Sequence, residues 1–232
     1  MTLVEFLIAF ALSIVVLAAT AQLFLSSKLA FAFNQGVADV QQNGRFAMNT
    51  LEQHIRMAGY QDRSVVAGAV RDAISGQRGG GGPDGRSDGI SVRYASGGTP
   101  SVSDCRGNRI AANDLVTLTF SVSAERELLC EAHSNRDGSV QREVLLTGIE
   151  RMHIQFGEDL DGDGAANRYT TVDAVSNFVD IVAVRVCIEP TSQGRVDSRS
   201  HSYFDCAGNN VTMDDGVLRR SFSTTIHLRN RI

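Results

Sequence analysis

Apolar residues crowd the start of this chain without any period and then thin to a stripe. Leu3 to Leu25 reads LVEFLIAFALSIVVLAATAQLFL with Glu5 as its sole charge, and Phe6 to Ser27 carries no charge at all. Such a run is long enough to cross a hydrocarbon core of about 30 Å. It lacks a basic leading segment and a convincing small-residue cleavage site, which separates it from a secretory signal peptide. Beyond Lys28 the apolar positions fall three and four apart, at Phe33, Val37, Val40, Gly44, Ala47, Leu51, Ile55 and Ala58. Asp39, Arg45, Glu52 and Arg56 take the other faces. The pattern predicts one helix from near residue 2 to about residue 58, roughly 85 Å long at about 1.5 Å per residue. Its second half has one apolar face and must pack on the rest of the chain. Gly36 and Gly44 read as weak points, each costing about 1 kcal/mol relative to alanine and favouring a bend. Gly59 is a helix stop.

After Gly59 the period changes. Strands are predicted at Ile90–Ala95, Leu115–Ser121, Glu127–Cys130, Val140–Thr147, Met152–Phe156, Phe178–Ile188 and Phe222–Leu228. In the sixth, Val182, Val184, Val186 and Ile188 share one face and Arg185 points the other way. Residues 62–89, with the run SGQRGGGGPDGRSDG, read as a flexible surface loop, because no G-K-[ST] follows to make a phosphate site. The expected fold class is therefore α+β: a long N-terminal helix packed on an antiparallel sheet. Residues 1–28 form a hydrophobic helix half, and residues 29–232 one globular domain.

Composition narrows the function. Net charge is −4, aromatics are 6% and tryptophan is absent. These values give no footprint for nucleic acid, and none is expected as a partner. Four cysteines, all beyond residue 100, allow three pairings in an oxidising compartment. The sequential pairs Cys105–Cys130 and Cys187–Cys206 are preferred, since each closes a modest loop. One segment, EDLDGDGAANRY, has metal-ligand spacing. Asp159, Asp161, Asp163, Ala165 through its carbonyl and Asn167 stand at calcium-loop positions, but Thr170 replaces the bidentate glutamate. An acidic Asp-Gly hairpin would use the same residues without Ca2+. No cofactor is required by any other feature. The histidines are scattered, Asp214, Asp215, Glu125 and Glu127 read as solvated carboxylates, and Arg219 and Arg220 read as surface charge at a strand end. No catalytic constellation emerges, and the chain is expected not to be an enzyme.

The opening MTLVEFLIA resembles the start of processed type IV pilins and pseudopilins, with a hydrophobic first residue and glutamate at position five. QQNGRFAMNTLEQHIRMAGY (Gln41 to Tyr60), FVDIVAVRVCI (Phe178 to Ile188) and RRSFSTTIHLRNRI (Arg219 to Ile232) resemble PilW-type minor pilins. That resemblance implies a basic leader removed by a prepilin peptidase, with Met1 the first mature residue and the site of N-methylation. It also implies pairing of Glu5 with the N-terminal amine of a neighbouring subunit during assembly. The implied location is a single pass through the inner membrane with a periplasmic domain, followed by an extracellular pilus. Implied partners are other minor pilins, the major pilin and a PilY-type tip adhesin. The alternatives are a type II secretion pseudopilin and a calcium-dependent tip adhesin.

Overall fold

A computed structural model of the chain describes residues 2–61, 70, 72–98 and 102–230. The apolar run and the stripe form one unbroken helix, α1 (Leu3–Arg56), which opens at the N-cap residue Thr2 and ends at Met57. Only its second half meets the rest of the protein. Val40, Asn43, Gly44, Ala47, Leu51, His54 and Ile55 are buried there, at the three-and-four spacing that one helix face requires.

The strands divide between two antiparallel sheets. The first holds β1 (Ile74–Gly81), β2 (Ser87–Ala95), β3 (Leu115–Val122), β4 (Glu127–Ser134) and β5 (Val140–Thr147) in that order. The second holds β6 (Ile149–Glu158), β7 (Arg168–Thr170), β8 (Ile181–Pro190) and β11 (Phe222–His227) in the order β11-β8-β6-β7. A two-stranded ribbon, β9 (His201–Phe204) and β10 (Asn210–Met213), is inserted between β8 and β11. The helix packs mainly on β8 and β11. Inward residues of both sheets, including Ile90, Val92, Leu118, Phe120, Met152, Phe156, Val184 and Val186, share one core with Leu51 and Ile55 of the helix.

The two sheets are stitched by side chains. Met152 donates its N–H to Ser87 Oγ at 2.9 Å and Ile154 donates to Asp88 Oδ2 at 3.0 Å. Asp88 also accepts from Gly79 N–H at 3.0 Å. Burial raises the Asp88 carboxyl, but these donors and His153 outweigh it and hold the group below its usual range. Cys105 is bridged to Cys130, which ties the 102–114 loop to β4, and Cys187 is bridged to Cys206, which ties the ribbon to β8.

Three local expectations change. The glycine-rich run is not a loop throughout: Ile74–Gly81 is a strand paired with β2, with a register shift between Gln77 and Gly81. Glycine is there for want of space, since a Cβ on Gly76 would lie 2.7 Å from the Phe156 ring and one on Gly81 2.7 Å from Val122 O. Residues 62–69 of that segment lie outside the described residues. The predicted strand Phe178–Ile188 begins instead as a 3-10 turn, Phe178–Asp180, before β8. Gly36 and Gly44 are seats and not weak points. A Cβ on Gly44 would stand 2.5 Å from the Phe222 ring, and one on Gly36 would overlap Val196. Gly44→Val is therefore expected to lower unfolding stability by about 2 kcal/mol through overpacking, read as a shift in the urea midpoint.

Candidate functional site

The feature that most distinguishes this molecule is what its helix leaves bare. Every residue from Thr2 to Phe31 is exposed, and the apolar run is long enough to cross a membrane with none of it buried inside the protein. Leu3, Phe6, Leu7, Phe10, Val16 and Leu17 each keep more than half of their surface free. An uncovered apolar rod of this length is unstable in water and needs lipid or other helices around it. Thr20 and Ser13, two of the polar residues within the run, turn their hydroxyls back to the helix carbonyls of Leu17 and Ala9 at 2.9 and 2.7 Å.

Glu5 lies at the outer end of this rod. Thr2 N–H donates to Glu5 Oε2 at 2.7 Å while Glu5 N–H donates to Thr2 Oγ1 at 3.3 Å, a reciprocal capping box. The carboxylate is thus placed on the first turn, where the helix dipole favours negative charge. Met1, the expected N-methylation and pairing site, lies outside the described residues.

The second cluster is internal. The Arg219 side chain is 2% exposed and donates from Nε to Glu150 Oε2 at 2.7 Å, with Glu150 7% exposed. Its two terminal nitrogens grip Asp215 at 2.9 and 2.7 Å. The guanidinium drives the Asp215 carboxyl down to about 2 against the opposing effect of burial. Beside it, Arg151 joins Asp84 at 2.7 Å and Glu189 at 3.1 Å. Glu189 accepts in addition from Tyr203 Oη–H at 3.3 Å and Cys206 N–H at 2.9 Å. Arg219, expected on the surface, is instead the buried centre of an ionic knot that holds the ribbon and the β10–β11 connection to β6, while Asp215 closes the knot from its solvent-facing side.

His54 is also internal. Its Nδ1 is 3.2 Å from Tyr94 Oη, which donates to Ser103 O at 2.8 Å, and its ring lies against Phe120. Burial lowers the imidazole pKa, and Asp104 offsets this in part. A group whose folded pKa is depressed contributes stability above its unfolded value, about 6.5, and loses it as the pH falls toward the folded value. Urea midpoints of the chain should therefore drop below about pH 6.5, and His54→Gln should flatten that slope. The comparison with the variant removes the contribution of His153, whose pKa is raised by Asp88 and which acts in the opposite sense.

The acidic loop brings Asp159, Asp161 and Asp163 together, with ligand oxygens all within 4.8 Å of one another. Backbone donors already serve it: Gly162 and Gly164 N–H bind Asp159 at 2.7 and 2.9 Å, and Ala165 N–H binds Asp163 at 2.7 Å. Asn167 accepts from Leu160 N–H at 2.6 Å and donates to Asp161 at 3.1 Å. Its oxygen therefore clips the loop instead of joining the three carboxylates, and Thr170 lies in β7. The three aspartates suit a hard cation; Asn167 as placed does not complete the set.

The model of the family described as Type IV Pilus-assembly protein W matches residues 117–230. A type IV-like pilin from Thermus thermophilus shares the fold at a TM-score of 0.50 and 11% identity, over 89% of this chain and 98% of that one. A binary complex of two pseudopilins from the Type 2 Secretion System of Vibrio vulnificus is similar at a TM-score of 0.37 and 12% identity, over 88% of this chain and 96% of that one. No curated protein sequence matches the chain. The long helix and the antiparallel sheets define a type IV pilin-like fold. Within that class the chain resembles Type IV Pilus-assembly protein W.

Proposed function

We propose that this chain is a minor pilin of a type IV pilus. Residues 1–28 anchor it in the inner membrane, residues 29–232 fold on the periplasmic side, and the subunit then enters the filament. The observation that carries this reading is the helix half from Thr2 to Phe31, apolar and uncovered, joined to a domain whose C-terminal part matches a pilus-assembly family. Lipid covers that rod before assembly, and similar helices cover it afterwards. Glu5 meets the N-terminal amine of a neighbour and fixes the axial register, with the capping box to Thr2 holding the carboxylate in place. Other minor pilins and the major pilin are the partners, in a complex that primes or caps the filament and bears a PilY-type adhesin.

Quantitative mass spectrometry of sheared pili, beside piliation of a deletion strain, tests this. Trace amounts of the subunit with pili lost on deletion are expected. Absence from pili together with a block in protein export would replace this reading by a type II secretion pseudopilin.

A further inference from the structure

Where α1 leaves its apolar run, a cleft of about 470 Å³ opens between the helix and the loop that follows β8. Leu29, Ala30 and Phe33 form its apolar wall and Asp197, Ser198 and Arg199 its rim. We propose that this loop, from Gln193 to Ser200, rests on anionic phospholipid headgroups of the bilayer that the helix enters, an inference that depends on the membrane-anchored reading above.

The first argument is level. The uncharged run ends at Ser27, and Leu29 to Asn34 stand within about 10 Å beyond it at about 1.5 Å per residue. The headgroup layer is about 5–7 Å deep on each side of the hydrocarbon. A cleft at that height, continuous with the apolar helix surface below it, opens onto lipid headgroups.

Charge is the second argument. Arg195 and Arg199 are both exposed on the loop, and Arg199 keeps 75% of its side-chain surface free. Lys28, the sole lysine of the chain, projects from the far side of the helix, since about 3.6 residues per turn place it across from Leu29, Ala30 and Phe33. Its ammonium lies back over the Phe24 ring, 5.3 Å from the centroid. Asp197 is the acid on the loop, and it is occupied by Arg199 Nε and His201 Nε2, each at 2.8 Å. Asp214 is exposed in the turn ending at Gly216, so Asp197 and Asp214 match the two arginines of the loop, and Lys28 leaves one positive charge in excess at this depth in a chain of net charge −4. Cations at this depth are drawn to an anionic leaflet by about 1 kcal/mol each. The apolar wall takes the glycerol and upper acyl region, as in any interfacial site.

The full chain in vesicles of phosphatidylcholine, with and without phosphatidylglycerol, separates the outcomes by hydrogen exchange. The expected result is slower exchange of residues 193–200 in the anionic vesicles, lost by about five-fold for each arginine removed in Arg195→Gln and Arg199→Gln, and weakened by salt. Arg195→Gln leaves the Asp197 contacts untouched, so it reports even where Arg199→Gln disturbs the loop. Equal exchange in both vesicles with residues 6–27 protected would overturn the headgroup contact and leave the anchor standing. Unprotected residues 6–27 would overturn both. Protection that instead rises with protein concentration would assign the cleft to a second copy and overturn the lipid as its occupant.

Discussion

Arg219→Ala is expected to lower unfolding stability by about 3–5 kcal/mol, the usual cost of leaving a buried charge without its partner. Glu150 is 7% exposed and receives Arg219 Nε at 2.7 Å, so truncation strands its carboxylate in the core. Asp215 keeps 38% of its side-chain surface and can turn to water, so its share of the loss is small. The measurement is urea denaturation of the full chain in detergent, followed by far-ultraviolet circular dichroism. Glu150→Leu with Arg219→Met removes both charges at once and is expected to recover most of the loss, because a desolvated pair seldom outperforms packed apolar side chains. A single variant within about 0.5 kcal/mol of the native chain would show that the knot is wet and that Arg219 is a surface residue after all.

That knot also shows where local pattern stops informing. Arg219 and Glu150 are 69 positions apart, and an adjacent arginine pair before a terminal strand looks like ordinary surface charge. Only the insertion of the ribbon between β8 and β11, which folds Asp215 and Arg219 back onto β6, takes the side chain out of water. The glycines misled for a related reason. Absence of a side chain erases the alternation that marks a strand, so Gly76 and Gly81 read as loop although β1 uses them to pass Phe156 and Val122. Likewise Gly36 and Gly44 read as helix defects because propensity is counted within the helix, while the residues that need the room, Val196 and Phe222, come from far along the chain. What was legible is what depends on period alone: the helix, its buried stripe from Val40 to Ile55, and the alternating strands β2, β3 and β8. Of the candidate site, the apolar rod and Glu5 could be seen directly, while the cleft beside Phe33 required the loop at Asp197 to be brought against it.

Glu5→Ala is expected to reduce incorporation into filaments by about a hundred-fold while the globular part stays folded. The carboxylate is exposed and, among the described residues, accepts from the Thr2 N–H alone, while the Thr2 hydroxyl accepts from the Glu5 backbone N–H. Losing the capping box costs helix stability of about 1 kcal/mol at one frayed end, which the core around Leu51 and Ile55 does not feel. The assembled state is different. There the neighbour's amine would enter apolar surroundings without a counter-charge, and an unpaired buried charge costs about 3 kcal/mol or more, equivalent to about a hundred-fold in association. Glu5→Gln keeps the capping geometry without the charge, so it separates the two effects: it should fail to incorporate nearly as badly as the alanine variant. Immunoblots of sheared pili against whole-cell levels give the ratio, and protease resistance of the domain reports folding. Normal incorporation of Glu5→Gln would mean that the glutamate serves as a helix cap alone and that register along the filament is set by the packing of the apolar helices themselves.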